Sequence, residues 1–328
     1  MAKFLIIRLS SIGDIVLTSP VVRCLKNQIE DAEIHFLTKI QYKQVVEFNP
    51  FIDKVWLYNK NMPALLKELK KEDFDYVIDL HHNLRTLRIK NHLRVLSFSF
   101  DKLNFEKWLI VNVNINRLPD RHIVDRYLET LSVFEVVNDG RGLDYFTGPE
   151  DEIFPNEISA LISGKFIALC IGGQHFTKKA PPEKLAVLCE QLDLPVIILG
   201  GSEDETAAQL IIRISSNKNI TSLAGKLRLN QSAFIIKRSA AVITHDTGLM
   251  HIAAAYKKRI ISIWGNTIPE FGMYPYLPGD GSRILEVKGL PCRPCSKIGF
   301  PKCPKEHFKC MVDQNMRITI DMRGSDDA

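Results

Sequence analysis

Short apolar runs recur along the chain, each bounded by polar or turn-forming residues. They occupy 3–9, 33–37, 54–57 and 76–80 in the first half and 165–171, 195–199, 241–244 and 260–264 in the second. Unbroken runs of this length suit strands buried on both faces of a parallel sheet. Between them lie segments with helical spacing of apolar residues, at 20–28, 42–48, 63–71, 122–134, 182–191, 204–214, 231–238 and 248–256. Ser19 is placed to cap the helix over 20–28, and Pro20 sits at a tolerated first-turn position. Strands alternating with helices predict an α/β protein with doubly wound parallel sheets.

The alternation lapses over 138–156, a polar stretch containing Gly and Pro with neither periodicity. A boundary there divides the chain into domains 1–150 and 151–328. Two such domains face each other across a cleft, and ligands in such sheets sit outside the carboxyl ends of the strands.

With 328 residues and 45% apolar content the chain can bury two ordinary cores. A net charge of +5, spread along the sequence, fits anionic ligands or a membrane surface as well as nucleic acid and selects none of them. The run at 4–7 is too short for a signal sequence, and no stretch reaches the ~18 apolar residues of a membrane span. These features predict a cytoplasmic protein with at most peripheral contact at the inner membrane face. Seven cysteines in such a chain argue against a disulfide framework.

Candidate chemistry gathers at strand ends. The first strand runs into Arg8-Leu9-Ser10-Ser11-Ile12-Gly13-Asp14, which places the Asp14 carboxylate on a loop facing the cleft, where a general base would sit. The competing reading of Asp14 is a helix cap or turn former. Neither a G-x-G-x-x-G fingerprint nor a P-loop occurs. In the second half Asp246, Thr247, Gly248 and Leu249 follow a strand and open a helix, whose free N–H groups and dipole suit a diphosphate. Asp246 could accept from a ribose hydroxyl or fix the loop, and an ordinary capped helix would look the same. The loop after 165–171 carries Gly172, Gly173, Thr177, Lys178 and Lys179, and a lysine there could offset charge on a leaving diphosphate. The turn Gly200 to Glu205 offers acids to a nucleoside, or simply to its own helix dipole.

Residues 6–20 (IIRLSSIGDIVLTSP) and 244–269 (THDTGLMHIAAAYKKRIISIWGNTIP), with 122–127 (HIVDRY), resemble glycosyltransferase family 9, the heptosyltransferases of lipopolysaccharide inner-core assembly. The resemblance implies a GT-B fold of two Rossmann-like domains, the acceptor in the first and the nucleotide-sugar in the second. It further implies inverting transfer, with ADP-heptose as the default donor, no cofactor and no catalytic metal. On the matching positions it makes Asp14 the base, Lys179 the lysine near the donor phosphates and Asp246 the donor-binding aspartate. Thr247, Gly248 and Leu249 would contact the diphosphate, flanked by the loop holding Gly173 and Thr177. Ser11, Gly13 and Arg85 would lie on the acceptor side. The sequence departs from the family pattern at 179–182, where a Trp commonly precedes the proline, and at Ile268, often acidic.

Cys292-x2-Cys295-x7-Cys303-x6-Cys310, with His307 nearby, could hold a structural zinc, remain as thiols or form disulfides. Arg85, Arg88, Lys90 and Arg94 form a basic stretch suited to acceptor phosphates or anionic lipid, or to solvent. The alternative functions are a nucleotide-sugar epimerase of the same architecture and a non-catalytic, zinc-stabilised binding protein; no nucleic-acid partner is expected.

Overall fold

The structure, a computed structural model, describes residues 2–318, so the part of the expected second domain from 319 to 328 lies outside the described residues. In the first half β1 (Lys3–Ile7), β2 (Glu33–Lys39), β3 (Lys54–Tyr58), β4 (Tyr76–Asp79) and β5 (Leu96–Ser99) form one parallel sheet in the order β3-β2-β1-β4-β5. In the second half β6 (Ile167–Cys170), β7 (Val196–Leu199), β8 (Ile220–Ser222), β9 (Ala241–His245), β10 (Ile260–Trp264) and β11 (Arg283–Glu286) form another, ordered β11-β10-β9-β6-β7-β8. Each sheet reverses its strand order beside its first strand, between β1 and β4 and between β6 and β9. A crevice opens at such a point beyond the carboxyl ends of the strands.

The central strands are those with unbroken apolar runs. Ile6 lies level with Phe36 on one side and Ile78 on the other, and all three are fully buried. The edge strands β5 and β11 are polar or half-exposed and β8 is very short, so none offers the apolar run that marks the inner strands. The basic stretch after β4 is the helix Leu84–Leu93, capped by Asn83. The helix expected over 42–48 is a 3-10 turn, Ile40–Val45, and the one over 122–134 is an α-helix, Ile123–Leu128, that tightens into 3-10 turns. Thr18, not Ser19, holds the N-cap position of the helix Ser19–Gln28, and its side chain makes no capping bond.

One continuous apolar cluster threads both halves, from Val21, Ile78 and Tyr127 to Tyr145, Met250 and Trp264. Polar ties reinforce it. Arg23, fully buried, donates to Asp139 (2.7 and 2.8 Å) and to the Gly142 carbonyl (2.8 Å) and pairs with Asp144, fastening 139–144 to the helix Ser19–Gln28. From 122–127 the Ile123 N–H donates to the Gly272 carbonyl (2.8 Å), while the buried His122 ring meets the Tyr274 carbonyl (2.9 Å). These contacts join the first half to the loop after β10 and hold the two sheets across a shared cleft. No helix among the described residues is long and apolar enough to cross a membrane.

Candidate functional site

The cleft holds about 630 Å³ and is lined from both halves, a size suited to a small-molecule ligand. Its first-domain wall is the turn beyond β1. Asp14 sits in a short helix, Ile12–Val16, instead of the expected loop, and closes a capping box with Ser11. The Ser11 N–H (3.0 Å) and hydroxyl (2.8 Å) both donate to one Asp14 oxygen, while Arg8 Nη2 pairs with the other at 2.6 Å. Burial works hardest against the charged carboxylate, yet Arg8, the two Ser11 donors and His251 together hold its pKa below the usual range. Asp14 is therefore ionised at neutral pH, and its side chain keeps about 20% exposure toward the cleft. Arg8 is itself fixed by the Ser10 carbonyl (2.9 Å), the Leu80 carbonyl and the face of Tyr127.

The second-domain wall is the turn from β9 into the helix Gly248–Ala255. Thr247 occupies its N-cap without a side-chain cap bond, which leaves first-turn N–H groups open to a ligand. Asp246 accepts from the Thr267 hydroxyl (2.8 Å) and pairs with Lys178 (2.6 Å). Buried His245 accepts from the Ala180 N–H (3.0 Å), tying the lysine loop to β9.

The two walls meet at a pair of glycines. A Cβ built on Gly13 would lie 2.6 Å from the His251 ring and 3.4 Å from Gly248 Cα, and one on Gly248 would lie 2.7 Å from Ile12 Cγ2. Only glycine permits both approaches, so the Asp14 turn and the helix N-terminus touch backbone to backbone. His251, on the same helix, is buried and faces the field of both Asp14 and Asp246.

Ser11, Gly13, Asp14, Gly173, Asp246, Thr247, Gly248 and Leu249 are thus gathered on one cleft. Three other candidates are not among the lining residues. Thr177 is buried and its hydroxyl accepts from the Phe300 N–H (2.8 Å), so it anchors the loop from behind. Lys179 turns to Asp204 (3.1 Å) at the rim, and it is Lys178 that lines the cleft. Arg85 lies exposed in the first turn of the helix Leu84–Leu93. Residues not anticipated at the site are Arg8, His251 and Lys297, the last from the cysteine-rich segment. Arg8 was within view, since it stands in the same strand-end segment as Asp14. Lys297 carried no signal, because long-range packing brings it in.

A sequence model of glycosyltransferase family 9 (heptosyltransferase) matches residues 62–299, most of the chain. The chain belongs to that family. Lipopolysaccharide heptosyltransferase 1 of Campylobacter coli is 25% identical over 296 residues, covering 81% of this chain and 84% of its own. The glycosyl transferase family 9 structure from Veillonella parvula aligns with a TM-score of 0.70 at 23% identity, over 87% of this chain and 86% of that one. That of E. coli ADP-heptose lps heptosyltransferase II aligns at 0.69 and 18% identity, over 95% and 98%. The fold is GT-B and the protein is a glycosyltransferase, which sets aside the epimerase and the non-catalytic binder. The matched span holds the Asp246 loop and begins after Asp14.

The glycosyltransferase keeps three fully enclosed histidines neutral. Burial, the largest cause for each, lowers the pKa of His245 and His251 to about 4 and that of His122 to about 3, from 6.5. Between those values and 6.5 the unfolded chain binds more protons than the folded one, so stability is complete above pH 6.5 and declines as pH falls toward 4. The slope is up to about 1.4 kcal/mol per pH unit for each histidine. Urea midpoints measured across that range should fall steadily, whereas a flat profile would show that these rings protonate without unfolding.

Proposed function

We propose that this glycosyltransferase transfers heptose from ADP-heptose to a hydroxyl of a lipopolysaccharide core, inverting the anomeric centre with Asp14 as general base. The observation that carries the reading is the meeting of Gly13 with Gly248, which sets an ionised carboxylate beside an open helix N-terminus in one cleft. Residues 1–150 take the acceptor and residues 151–328 the donor. The donor assignment draws support from the E. coli relative, named for ADP-heptose.

In the reaction the acceptor oxygen attacks the anomeric carbon from the face opposite the diphosphate. The new C–O bond forms as the old one breaks, and its electron pair leaves with ADP. As the bond forms the hydroxyl becomes strongly acidic, so even a carboxylate of lowered pKa can take its proton. Charge growing on the leaving diphosphate meets the Thr247, Gly248 and Leu249 N–H groups and the Lys178 ammonium. Lys179 holds the Asp204 turn, and Asp246 orients Lys178 and faces the donor.

The acceptor is anionic near its reacting hydroxyl. Arg126 is buried with Nε and Nη2 lacking any hydrogen-bond partner among the described residues. Burial, then Arg126 and Lys297, lower the Lys107 pKa to about 8, and burial followed by Arg8 lowers that of Lys102. Cations that depress one another in this way would be relieved by a phosphate or carboxylate. Asp14→Asn should cut kcat by ~10²-fold or more with donor affinity unchanged. Arg126→Gln should instead raise the acceptor KM and leave the donor KM alone. Steady-state kinetics of ADP release decide; full turnover by Asp14→Asn would remove Asp14 from the mechanism.

The acceptor's lipid would be met at a bilayer surface. On the helix Asn104–Val113, Phe105 and Trp108 are 63% and 54% exposed, three residues apart on one face, with their rings stacked at 6.5 Å. Exposed aromatics next to Lys102 suit the interface of an anionic membrane. The protein should float with vesicles containing anionic phospholipid. The double variant Phe105→Ser/Trp108→Ser should stay behind while still binding nucleotide, and wild-type protein that never floats would refute the contact.

A further inference from the structure

Two lysines follow one another at 178 and 179, and the structure gives them different partners. Lys178 pairs with Asp246 at 2.6 Å and lines the cleft, whereas Lys179 pairs with Asp204 at 3.1 Å. Both carry the same charge on the same stem, so their own chemistry does not sort them. The backbone ahead of them does. Phe176–Lys178 is a single 3-10 turn, in which successive side chains point about 120° apart. Fixing the direction of the middle residue therefore fixes those of its two neighbours.

That middle residue is Thr177, and it is buried. Its N–H donates to the Phe300 carbonyl (3.2 Å), while its hydroxyl accepts from the Phe300 N–H (2.8 Å) and donates to the same carbonyl (3.3 Å). The Thr177 carbonyl accepts from the Asn266 N–H (3.4 Å) and lies against Gly265, where a Cβ would come within 2.5 Å of it. All three polar groups of one residue are thus spent on 265–266 and on Phe300 of the cysteine-rich segment. To one side of Thr177 the Phe176 ring stacks on buried Phe308, 4.8 Å between centroids, and to the other Lys178 reaches Asp246.

We propose that Thr177, locked to Phe300, is a positioning residue that turns Lys178, and not Lys179, toward the sugar-bearing phosphate of the donor. The proposal rests on the reading of Lys178 as a stabiliser of the leaving diphosphate. The Thr177 hydroxyl touches no substrate and acts only through the turn. Without it the buried Phe300 N–H loses its acceptor, a cost that a shift of either segment relieves. A shifted turn withdraws Lys178 from Asp246 and the cleft, and the phosphate then faces one cation fewer. Lys179 does not take its place, because buried Asp204 holds the neighbouring ammonium. A stretch of chain far away in sequence thereby sets which lysine serves the donor.

Calorimetric titration of the full chain with ADP and with AMP, which lacks the sugar-bearing phosphate, tests this. Thr177→Val keeps the shape and removes the hydroxyl. It should weaken ADP binding ~10-fold, the scale of one hydrogen bond to a charged group, and leave AMP binding unchanged. Thr177→Ser, which keeps the hydroxyl, should restore most of the ADP affinity. Lys178→Met should weaken ADP binding to a similar extent and the double variant no further, because two residues acting through one contact are not additive. Should Thr177→Val fail to fold, lysine acylation of the wild-type protein, read by mass spectrometry, decides: ADP should slow reaction at Lys178 and leave Lys179 unaltered. Equal loss of ADP and AMP binding in Thr177→Val, additive effects of Thr177→Val and Lys178→Met, or protection of Lys179 in place of Lys178 would overturn the proposal. Unchanged ADP binding by Lys178→Met alone would instead refute the role of Lys178 from which the proposal starts, and the proposal with it.

Discussion

Gly13 and Gly248 carry no side chains, and this allows a turn from one sheet to rest on a helix N-terminus from the other. The reach of every other group in the cleft follows from that contact. With a Cβ at either position the walls would have to separate, moving the Asp14 carboxylate away from the N–H groups of the first helical turn. Base and leaving-group stabiliser must stand on opposite sides of one anomeric carbon, and misplacement by ~1 Å can cost such a site ~10²-fold in rate. The contact also encloses His251, which fills the space beside Gly13 and stays neutral between two carboxylates.

Charge around this junction is sorted by side. Arg8 spends its guanidinium on Asp14 and two carbonyls, and Lys178 spends its ammonium on Asp246. Among the described residues, Arg126 has two unbonded nitrogens, and Lys107, beside Arg126 and in the field of Asp14, has its pKa lowered to about 8. Buried cations without counter-ions are costly to the fold. An anionic substrate completing the site, as proposed, would account for their persistence beside the Asp14 carboxylate. On the other wall the helix dipole and Lys178 face the place where a diphosphate would build up charge.

Much of this was legible in the residues. The central strands β1, β4, β6, β9 and β10 announce themselves as apolar runs because both their faces are covered. β5, β8 and β11 do not, being short or half polar at sheet edges, whereas the edge strand β3 keeps its run at 54–57. The turns holding Asp14 and Asp246 were visible because strand ends and helix starts leave a local signature. That Asp14 caps its own helix, as well as facing the cleft, shows its two readings to be compatible. Which lysine of the pair at 178 and 179 enters the cleft depends on the 3-10 turn Phe176–Lys178, and no spacing rule reveals it. Lys297 reaches the cleft wall through long-range packing, a level at which the order of residues along the chain is silent.

The most direct test of the central claim, that the junction binds a nucleoside diphosphate sugar for transfer, is calorimetric titration of the intact protein with ADP-heptose, ADP, UDP and GDP. The account predicts one site per chain that takes ADP and ADP-heptose in preference to the uridine and guanosine compounds. Preference for UDP or GDP would contradict the assigned donor, and no binding by any of the four would contradict the site itself.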